Sequence, residues 1–167
     1  MSVTVRPAER QDAPELAELL NAIIARGGTT ALETPYEAED LARAYLVGPE
    51  VICCFVAVDA ASGALLGFQT LGRDSALPEG WGDIGTFARL GGTQRGVGTA
   101  LFAATREEAR RQGLQGINAT IRADNDGGLT FYGRMGFADH AVARGLPLKD
   151  GTPVDRVSKR YRLTPGA

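Results

Sequence analysis

Cysteine and histidine are scarce in this sequence, and their scarcity excludes several kinds of site. Among 167 residues there are two cysteines, Cys53 and Cys54, which are adjacent in an apolar run and would point to opposite faces of a strand. They provide neither a disulfide framework nor a metal-ligand spacing, so we expect no metal. The single histidine, His140, excludes sites that need two histidines, and we interpret it as a solvent-side loop residue.

The chain also lacks an excess of charge and any long apolar run. With 18 basic and 20 acidic residues, it has no overall basic character of the kind that nucleic-acid-binding proteins carry. The longest apolar stretch, residues 51–58, has the length of a strand, and residues 1–6 do not resemble a signal peptide. We therefore expect a single domain over residues 1–167, located in the cytoplasm, with neither nucleic-acid nor membrane partners.

The remaining pattern predicts an α/β (α+β) fold with a mixed, mostly antiparallel seven-stranded sheet and helices on both faces. Apolar spacings give the order β-α-α-β-β-β-α-β-α-β-β. We expect Asp12 to cap the first helix, and residues 34–37 to form a capping box that starts the second. A third helix is predicted over residues 98–112, with Glu107 and Arg111 as an i,i+4 ion pair.

A glycine-rich segment between the predicted fourth strand, residues 83–89, and the third helix is suited to bind an anion. Gly96 and Gly98 let the backbone turn tightly, and the start of the helix adds unpaired N–H groups and a positive dipole end. A plain strand–helix connection is the alternative. The segment departs from a P-loop because Thr99 and Ala100 follow Gly98 in place of Lys and Ser/Thr. It departs from a dinucleotide-binding fingerprint because Leu101 stands where a third glycine or alanine is needed.

Two motifs together resemble the GNAT superfamily of N-acetyltransferases. Residues 93–98, Thr-Gln-Arg-Gly-Val-Gly, resemble its motif A, Gln/Arg-x-x-Gly-x-Gly/Ala, with Thr93 departing from the first position. Residues 125–137 resemble motif B, in which Asn begins a short helix and an aromatic-Tyr-x-x-x-Gly-Phe sequence ends it. Residues 29–35 and 149–157 resemble the phosphinothricin acetyltransferase-like branch. The resemblance spans most of the chain.

The resemblance implies direct transfer of an acetyl group from acetyl-CoA to an amine, with no metal. Tyr132 then corresponds to the general acid, with packing as the alternative, and Asp83 is the candidate base, with Glu33 as its rival. One backbone N–H of the fourth strand would stabilise the thioester oxyanion. The residues that the resemblance assigns to cofactor binding are Thr86, Phe87, Ala88, Thr93, Gln94, Arg95, Gly96, Val97, Gly98, Thr99, Ala100, Asn125 and Arg134.

The acceptor is less defined than the cofactor. We expect the acceptor to be the primary amine of a small molecule, an amino acid or an analogue of one. The alternatives are a protein or peptide acceptor and a non-enzymatic acyl-CoA-binding module. Trp81 and Tyr36 either line the acceptor pocket or pack in the core. Arginines that could bind an acceptor carboxylate are Arg73, Arg89 and Arg144. The family commonly dimerises, so we expect a homodimer.

Overall fold

A computed structural model describes residues 2–92 and 96–163, which form a seven-stranded sheet with helices on both of its faces. The strands lie in the order β1-β2-β3-β4-β5-β7-β6, and only the β4–β5 pair is parallel. The strands are β1 Val3–Pro7, β2 Val51–Asp59, β3 Leu65–Arg73, β4 Trp81–Ala88, β5 Gly116–Arg122, β6 Ala138–Pro147 and β7 Pro153–Arg162. The main helices are α1 Ala13–Arg26, α2 Ala38–Leu41, α3 Val97–Arg111 and α4 Asp126–Met135. The predicted fold class is confirmed.

The α1 side of the sheet is held by an amphipathic helix that buries its leucines. Leu16 and Leu20 of α1 are fully buried against β2 and β3, where Phe68 is their largest partner. Asp12 precedes α1, but its side chain does not cap the helix as expected. The carboxylate instead accepts hydrogen bonds from the Arg6 guanidinium and the Glu9 N–H, which ties β1 to the start of the helix and lowers the pKa of Asp12.

The opposite side of the sheet carries α3 and α4. Apolar residues that alternate along β5, Ile117, Ala119 and Ile121, face this side and pack with Phe102 of α3. The intervening residues of β5 therefore face the α1 side, which gives the strand one apolar and one polar face. This alternation determines which polar side chains of β5 can contact those of the neighbouring strands at the site.

The second helix differs from the prediction. Residues 34–37 form no capping box; α2 begins at Ala38 with Glu37 as its N-cap and continues as a π-helical segment, Ala42–Leu46. The backbone of Tyr36 exchanges two hydrogen bonds with the side chain of Asn21, and these hold the segment extended before the helix begins.

Three smaller predictions are also corrected. Arg111 pairs with Glu108 rather than with Glu107. The fourth strand begins at Trp81, two residues earlier than expected, and His140 lies exposed in β6 rather than in a loop. No helix within residues 2–92 and 96–163 has the length and apolar character needed to cross a membrane.

Candidate active site

The sheet opens between β4 and β5. Their parallel pairing begins with Trp81 opposite Gly116 and ends with Ile84 opposite Ala119. Beyond this point β4 continues to pair with β3, and β5 continues to pair with β7. The two strands therefore diverge and leave a gap that widens towards their carboxyl ends.

The backbone of β4 faces this opening at two residues. The N–H of Arg89 bonds to the carbonyl of Leu66 in β3, and hydrogen bonding alternates along an antiparallel pair. Thr86 and Ala88 consequently direct their N–H and C=O groups away from β3 and into the opening. No strand in the described part of the chain pairs with them there. An extended ligand can bind these groups in the manner of an added strand.

The phenol of Tyr132 reaches the same opening from the α4 side. The side chain is only 6% exposed, and its hydroxyl lies 2.8 Å from the hydroxyl of Thr86. Burial raises the pKa of Tyr132, and the Thr86 hydrogen bond opposes that effect. The phenol is therefore protonated at neutral pH and able to act as a proton donor.

Gln69, a residue that sequence reasoning missed, supports the Thr86 hydroxyl. It is fully buried in β3 opposite Thr86, and its Nε2 donates a hydrogen bond of 2.9 Å to Thr86 Oγ1. Because Thr86 accepts this bond, its own hydroxyl hydrogen is available to the oxygen of Tyr132. A glutamine within the apolar run of β3 was the available sequence signal.

Asp83 lies on the other face of β4, one position before the opening. Its Oδ1 accepts a hydrogen bond of 2.9 Å from Nδ2 of Asn118, the residue directly opposite on β5. Burial raises the pKa of Asp83, the Asn118 hydrogen bond opposes this rise, and the negative charge of Asp74 adds to it. A carboxylate with a raised pKa is a stronger base than an ordinary aspartate.

The start of α3 and one side of α4 form a groove of about 410 Å³ beside the opening. Thr99 and Arg134 line it from the two helices, together with Phe131. Gly96, in the left-handed conformation with φ of 85°, is the N-cap residue of α3. At Gly98 a Cβ atom would lie 2.6 Å from the Phe131 ring, so this glycine is what lets the two helices approach.

Asn125 holds the loop before α4 in place. Its side-chain oxygen accepts the Gly128 N–H and caps α4, while its Nδ2 donates to the carbonyl of Thr29. Both polar atoms of the side chain are thus engaged within the protein. Thr93, Gln94 and Arg95 lie outside the described residues.

The segment between α1 and α2 closes over the α1 face of the sheet. Arg122 of β5 donates to the carbonyl of Thr30, and the backbone N–H of Lys149 donates to both oxygens of Glu33. Glu33 is therefore a bridge to the β6–β7 turn.

Aromatic side chains connect this segment to β4 and to the core. The hydroxyls of Tyr36 and Tyr45 lie 3.1 Å apart, and the ring of Tyr45 contacts that of Phe87 on β4. Phe87 in turn stacks on Phe68 in the core.

The arginines proposed from sequence do not meet at the site. Arg89 pairs with Glu15, and Arg144 pairs with Asp155 on the β6–β7 hairpin. Arg73 ends β3, opposite Gly82 at the start of β4. The arginine that does approach Asp83, through Asn118, is Arg160 of β7, which sequence reasoning missed.

Comparison with known proteins agrees with this architecture. The profile of the acetyltransferase (GNAT) family matches residues 18–137. An L-methionine sulfoximine/L-methionine sulfone acetyltransferase from Pseudomonas paraeruginosa is 32% identical over an alignment 174 residues long, which covers 99% of this chain and 97% of that protein. An enzyme of the same description from Pseudomonas aeruginosa is 27% identical, with the same coverage.

Solved structures share the fold at low sequence identity. A phosphinothricin acetyltransferase from Sinorhizobium meliloti, solved in complex with acetyl-CoA, superimposes with a TM-score of 0.81 at 19% identity, over 97% of this chain and 89% of that one. A putative acetyltransferase from Salmonella typhimurium, solved with its cofactor acetyl-CoA, gives 0.83 at 17% identity, over 100% and 97% of the two chains. These structures share the fold, and the family profile and the Pseudomonas relatives confirm the expected enzyme class: the chain belongs to the acetyltransferase (GNAT) family and is an N-acetyltransferase.

Proposed function

We propose that this protein transfers an acetyl group from acetyl-CoA to the primary amine of a small molecule, an amino acid or an analogue of one, by direct attack in a ternary complex. The observation that carries the proposal is the Tyr132 hydroxyl at the β4–β5 opening, beside the unpaired backbone of Thr86. The Pseudomonas relatives act on methionine sulfoximine and methionine sulfone, which are amino-acid analogues.

The described residues fit acetyl-CoA, which supplies the acetyl group as a thioester. Backbone groups of Thr86 and Ala88 would bind the pantetheine arm as an added strand, alongside Phe87. The first N–H groups of α3, at Val97, Gly98 and Thr99, have no acceptor within the helix and would bind the pyrophosphate.

The remaining assigned residues complete this binding site. Arg134 faces the groove beside Thr99 and would add a positive charge near the phosphates. Gly96 and Ala100, whose backbone groups bond to each other, shape the first turn of α3. Asn125 positions the start of α4. Thr93, Gln94 and Arg95 are assigned to the pyrophosphate by resemblance.

Each proton in the reaction has a proposed donor or acceptor. The acceptor amine is protonated near neutral pH, because alkyl amines have a pKa of about 10. Asp83 would accept one proton of the ammonium group, directly or through water, and the free amine would attack the thioester carbonyl. The nitrogen would lose its second proton to water when the tetrahedral intermediate collapses to the amide. A backbone N–H in the opening would stabilise the oxyanion, and Tyr132 would protonate the departing thiolate. Thr86 would donate to the phenolate that remains.

The closed α1–α2 segment favours a small acceptor over a protein or peptide. Arg122 and Lys149 hold this segment against the sheet, which would limit the width of an acceptor that reaches Asp83. The rings of Tyr36 and Tyr45 lie 5.5 Å apart, centre to centre, and pack against the core on the α1 side. Trp81 packs over Gly116 rather than in the core clusters.

The expectations on oligomeric state and location are also proposals. We propose that the chain forms a homodimer and that it acts in the cytoplasm. Light scattering coupled to gel filtration tests the first, because a monomer would elute with half of the expected mass.

The proposed function is tested by thermal unfolding with acetyl-CoA, NAD or ATP, followed by an assay of thiol release with small amines. Bound ligand stabilises the folded state by about 2.7 kcal/mol at a hundredfold excess over its dissociation constant. We expect a shift specific to acetyl-CoA and acetylation of L-methionine sulfone. A shift with NAD or ATP alone would contradict the proposal. A shift with acetyl-CoA but no thiol release with any amine or peptide would favour the non-enzymatic acyl-CoA-binding module.

A further inference from the structure

We propose that Arg160 binds the carboxylate of the acceptor and so makes the enzyme selective for amino acids over simple amines. This inference rests on the proposed function, and it assigns a role to a residue that lies in neither GNAT motif. Arg160 is half-buried in β7, directly opposite Asn118 of β5.

The guanidinium of Arg160 is fixed from two directions. Its Nε donates a hydrogen bond of 3.1 Å to Oδ1 of Asn118, and its Cζ lies 5.1 Å from the centre of the Trp81 ring. The Trp81 ring lies flat over Gly116, where any side chain would displace it. Stacking on an aromatic ring and one bond through Nε leave the two terminal nitrogens of an arginine free to form a fork.

These terminal nitrogens have no hydrogen-bond partner within residues 2–92 and 96–163. The arrangement differs from that of other arginines near the site. Arg122 binds Asp124 through two nitrogens, and Arg89 is paired with Glu15. A half-buried guanidinium held in a fixed plane, with both outer nitrogens open, is suited to bidentate recognition of a carboxylate.

The position of Arg160 relative to Asp83 fits an α-amino acid. Asp83, Asn118 and Arg160 are register neighbours on three adjacent strands and share the α1 face of the sheet. Asn118 donates to Asp83 and accepts from Arg160, so one amide side chain separates the proposed base from the guanidinium. An α-amino acid carries its amine and its carboxylate on one carbon, so it can place the amine at Asp83 and the carboxylate at Arg160.

The test compares L-methionine sulfone with two relatives that lack the negative charge: its carboxamide and its decarboxylated amine. With the unaltered protein, we expect kcat/KM to be about ten- to a hundredfold higher for the amino acid, because a charge-assisted pair is lost in the other two. Arg160→Met should remove this preference by raising KM for the amino acid alone. Arg160→Lys should keep an intermediate preference.

Arg162→Met is the matched control. Arg162 also lies over the Trp81 ring, at 6.0 Å, but it is exposed and has no bond to Asn118. We expect this variant to keep the preference for the amino acid. The stabilisation by acetyl-CoA, measured by thermal unfolding, should be the same in all variants and shows that they are folded.

The results separate this inference from the proposed function. Two results would overturn the role of Arg160 while leaving the acetyltransferase activity intact. The first is an equal kcat/KM of the unaltered protein for the charged and the uncharged acceptors, and the second is an equal loss of kcat/KM for all three acceptors in Arg160→Met. Absence of thiol release with every amine would refute the proposed function. Calorimetric binding of L-methionine sulfone to the unaltered protein and to Arg160→Met would then decide the carboxylate site, because equal affinities would overturn it.

Discussion

At the scale of single residues, the proposed chemistry depends on how the phenol of Tyr132 is held. The hydroxyl of Tyr132 contacts the hydroxyl of Thr86, and the ring is packed between Phe131 and Phe137. Tyr132→Phe keeps this packing and removes the proton donor. We expect kcat to fall by about a hundredfold or more while the affinity for acetyl-CoA is retained. Steady-state kinetics and ligand-induced thermal shifts measure the two quantities, and an unchanged kcat would show that Tyr132 only packs.

The Thr86 hydroxyl makes a smaller contribution of a different kind. With Gln69 donating to it, the hydroxyl can donate to the Tyr132 oxygen and stabilise the phenolate formed after proton transfer. Thr86→Val removes the hydrogen bond with Tyr132 as well as the acceptor for Gln69. With a contribution of about 1 kcal/mol from the bond to Tyr132, we expect kcat to fall about fivefold with KM for acetyl-CoA unchanged. Thr86→Ser should restore most of the rate. A serine variant as slow as the valine variant would contradict a role for the hydroxyl.

Asp83, the proposed base, has a raised pKa that also affects the stability of the folded protein. A carboxyl group whose pKa is higher in the folded protein than in the unfolded chain favours unfolding once it ionises. The loss of stability therefore begins as the pH rises above the pKa in the unfolded chain, about 3.9, and is complete above the pKa in the folded protein. Asp83→Asn keeps an acceptor for Asn118 and removes that charge. We expect the variant to melt a few degrees higher at pH 7, with the gain disappearing towards pH 4, and to lose activity by about a hundredfold.

Glu33→Gln is the control for the base assignment. Its carboxylate bonds to the backbone N–H of Lys149, and a glutamine oxygen can accept the same bond. We expect nearly unchanged kcat. Loss of activity in Glu33→Gln with full activity in Asp83→Asn would reverse the assignment of the base.

At the scale of elements, the approach of α3 to α4 shapes the proposed phosphate end of the site. Gly98→Ala would place a methyl group 2.6 Å from the Phe131 ring, so the ring must move. Because Phe131 lines the groove together with Thr99 and Arg134, this movement changes the shape of the groove. We expect weaker binding of acetyl-CoA and no gain in stability. Gly133→Ala in α4, where no atom lies within 4 Å, should instead stabilise the protein by up to about 1 kcal/mol and leave binding unchanged. Equal affinities in both variants, measured by calorimetry, would contradict this account.

Helices and strands whose apolar residues recur at a regular spacing could be predicted from the sequence, whereas features defined by tertiary contacts could not. Leu16, Leu20 and Ile23 marked α1 because only one face of that helix is buried. The capping box predicted at residues 34–37 does not form, because two hydrogen bonds between Asn21 of α1 and Tyr36 hold this segment extended. Such a contact with another element leaves no local pattern in the sequence.

At the scale of the whole molecule, the opening between β4 and β5 exists because each strand keeps its outer partner after the two separate. We expect acetyl-CoA to slow amide hydrogen exchange at Thr86 and Ala88, whose N–H groups face the opening. The N–H of Phe87 faces β3 and serves as the internal control, with little change expected. Exchange measured by NMR with and without acetyl-CoA tests this, and protection at Phe87 alone would contradict the proposed binding mode.

The sequence by itself determined the order of the elements and the family, because these depend on local period and on contiguous motifs. It also singled out Tyr132 and Asp83, whose catalytic roles stay predictions. Tertiary structure alone decided that Gln69 supports Thr86, that Asn118 joins Asp83 to Arg160, and that Arg89 and Arg144 are committed elsewhere. Each of these contacts joins residues from different strands or helices. Strand register brings these residues together, and their spacing along the chain does not show which residue lies opposite which on the neighbouring strand.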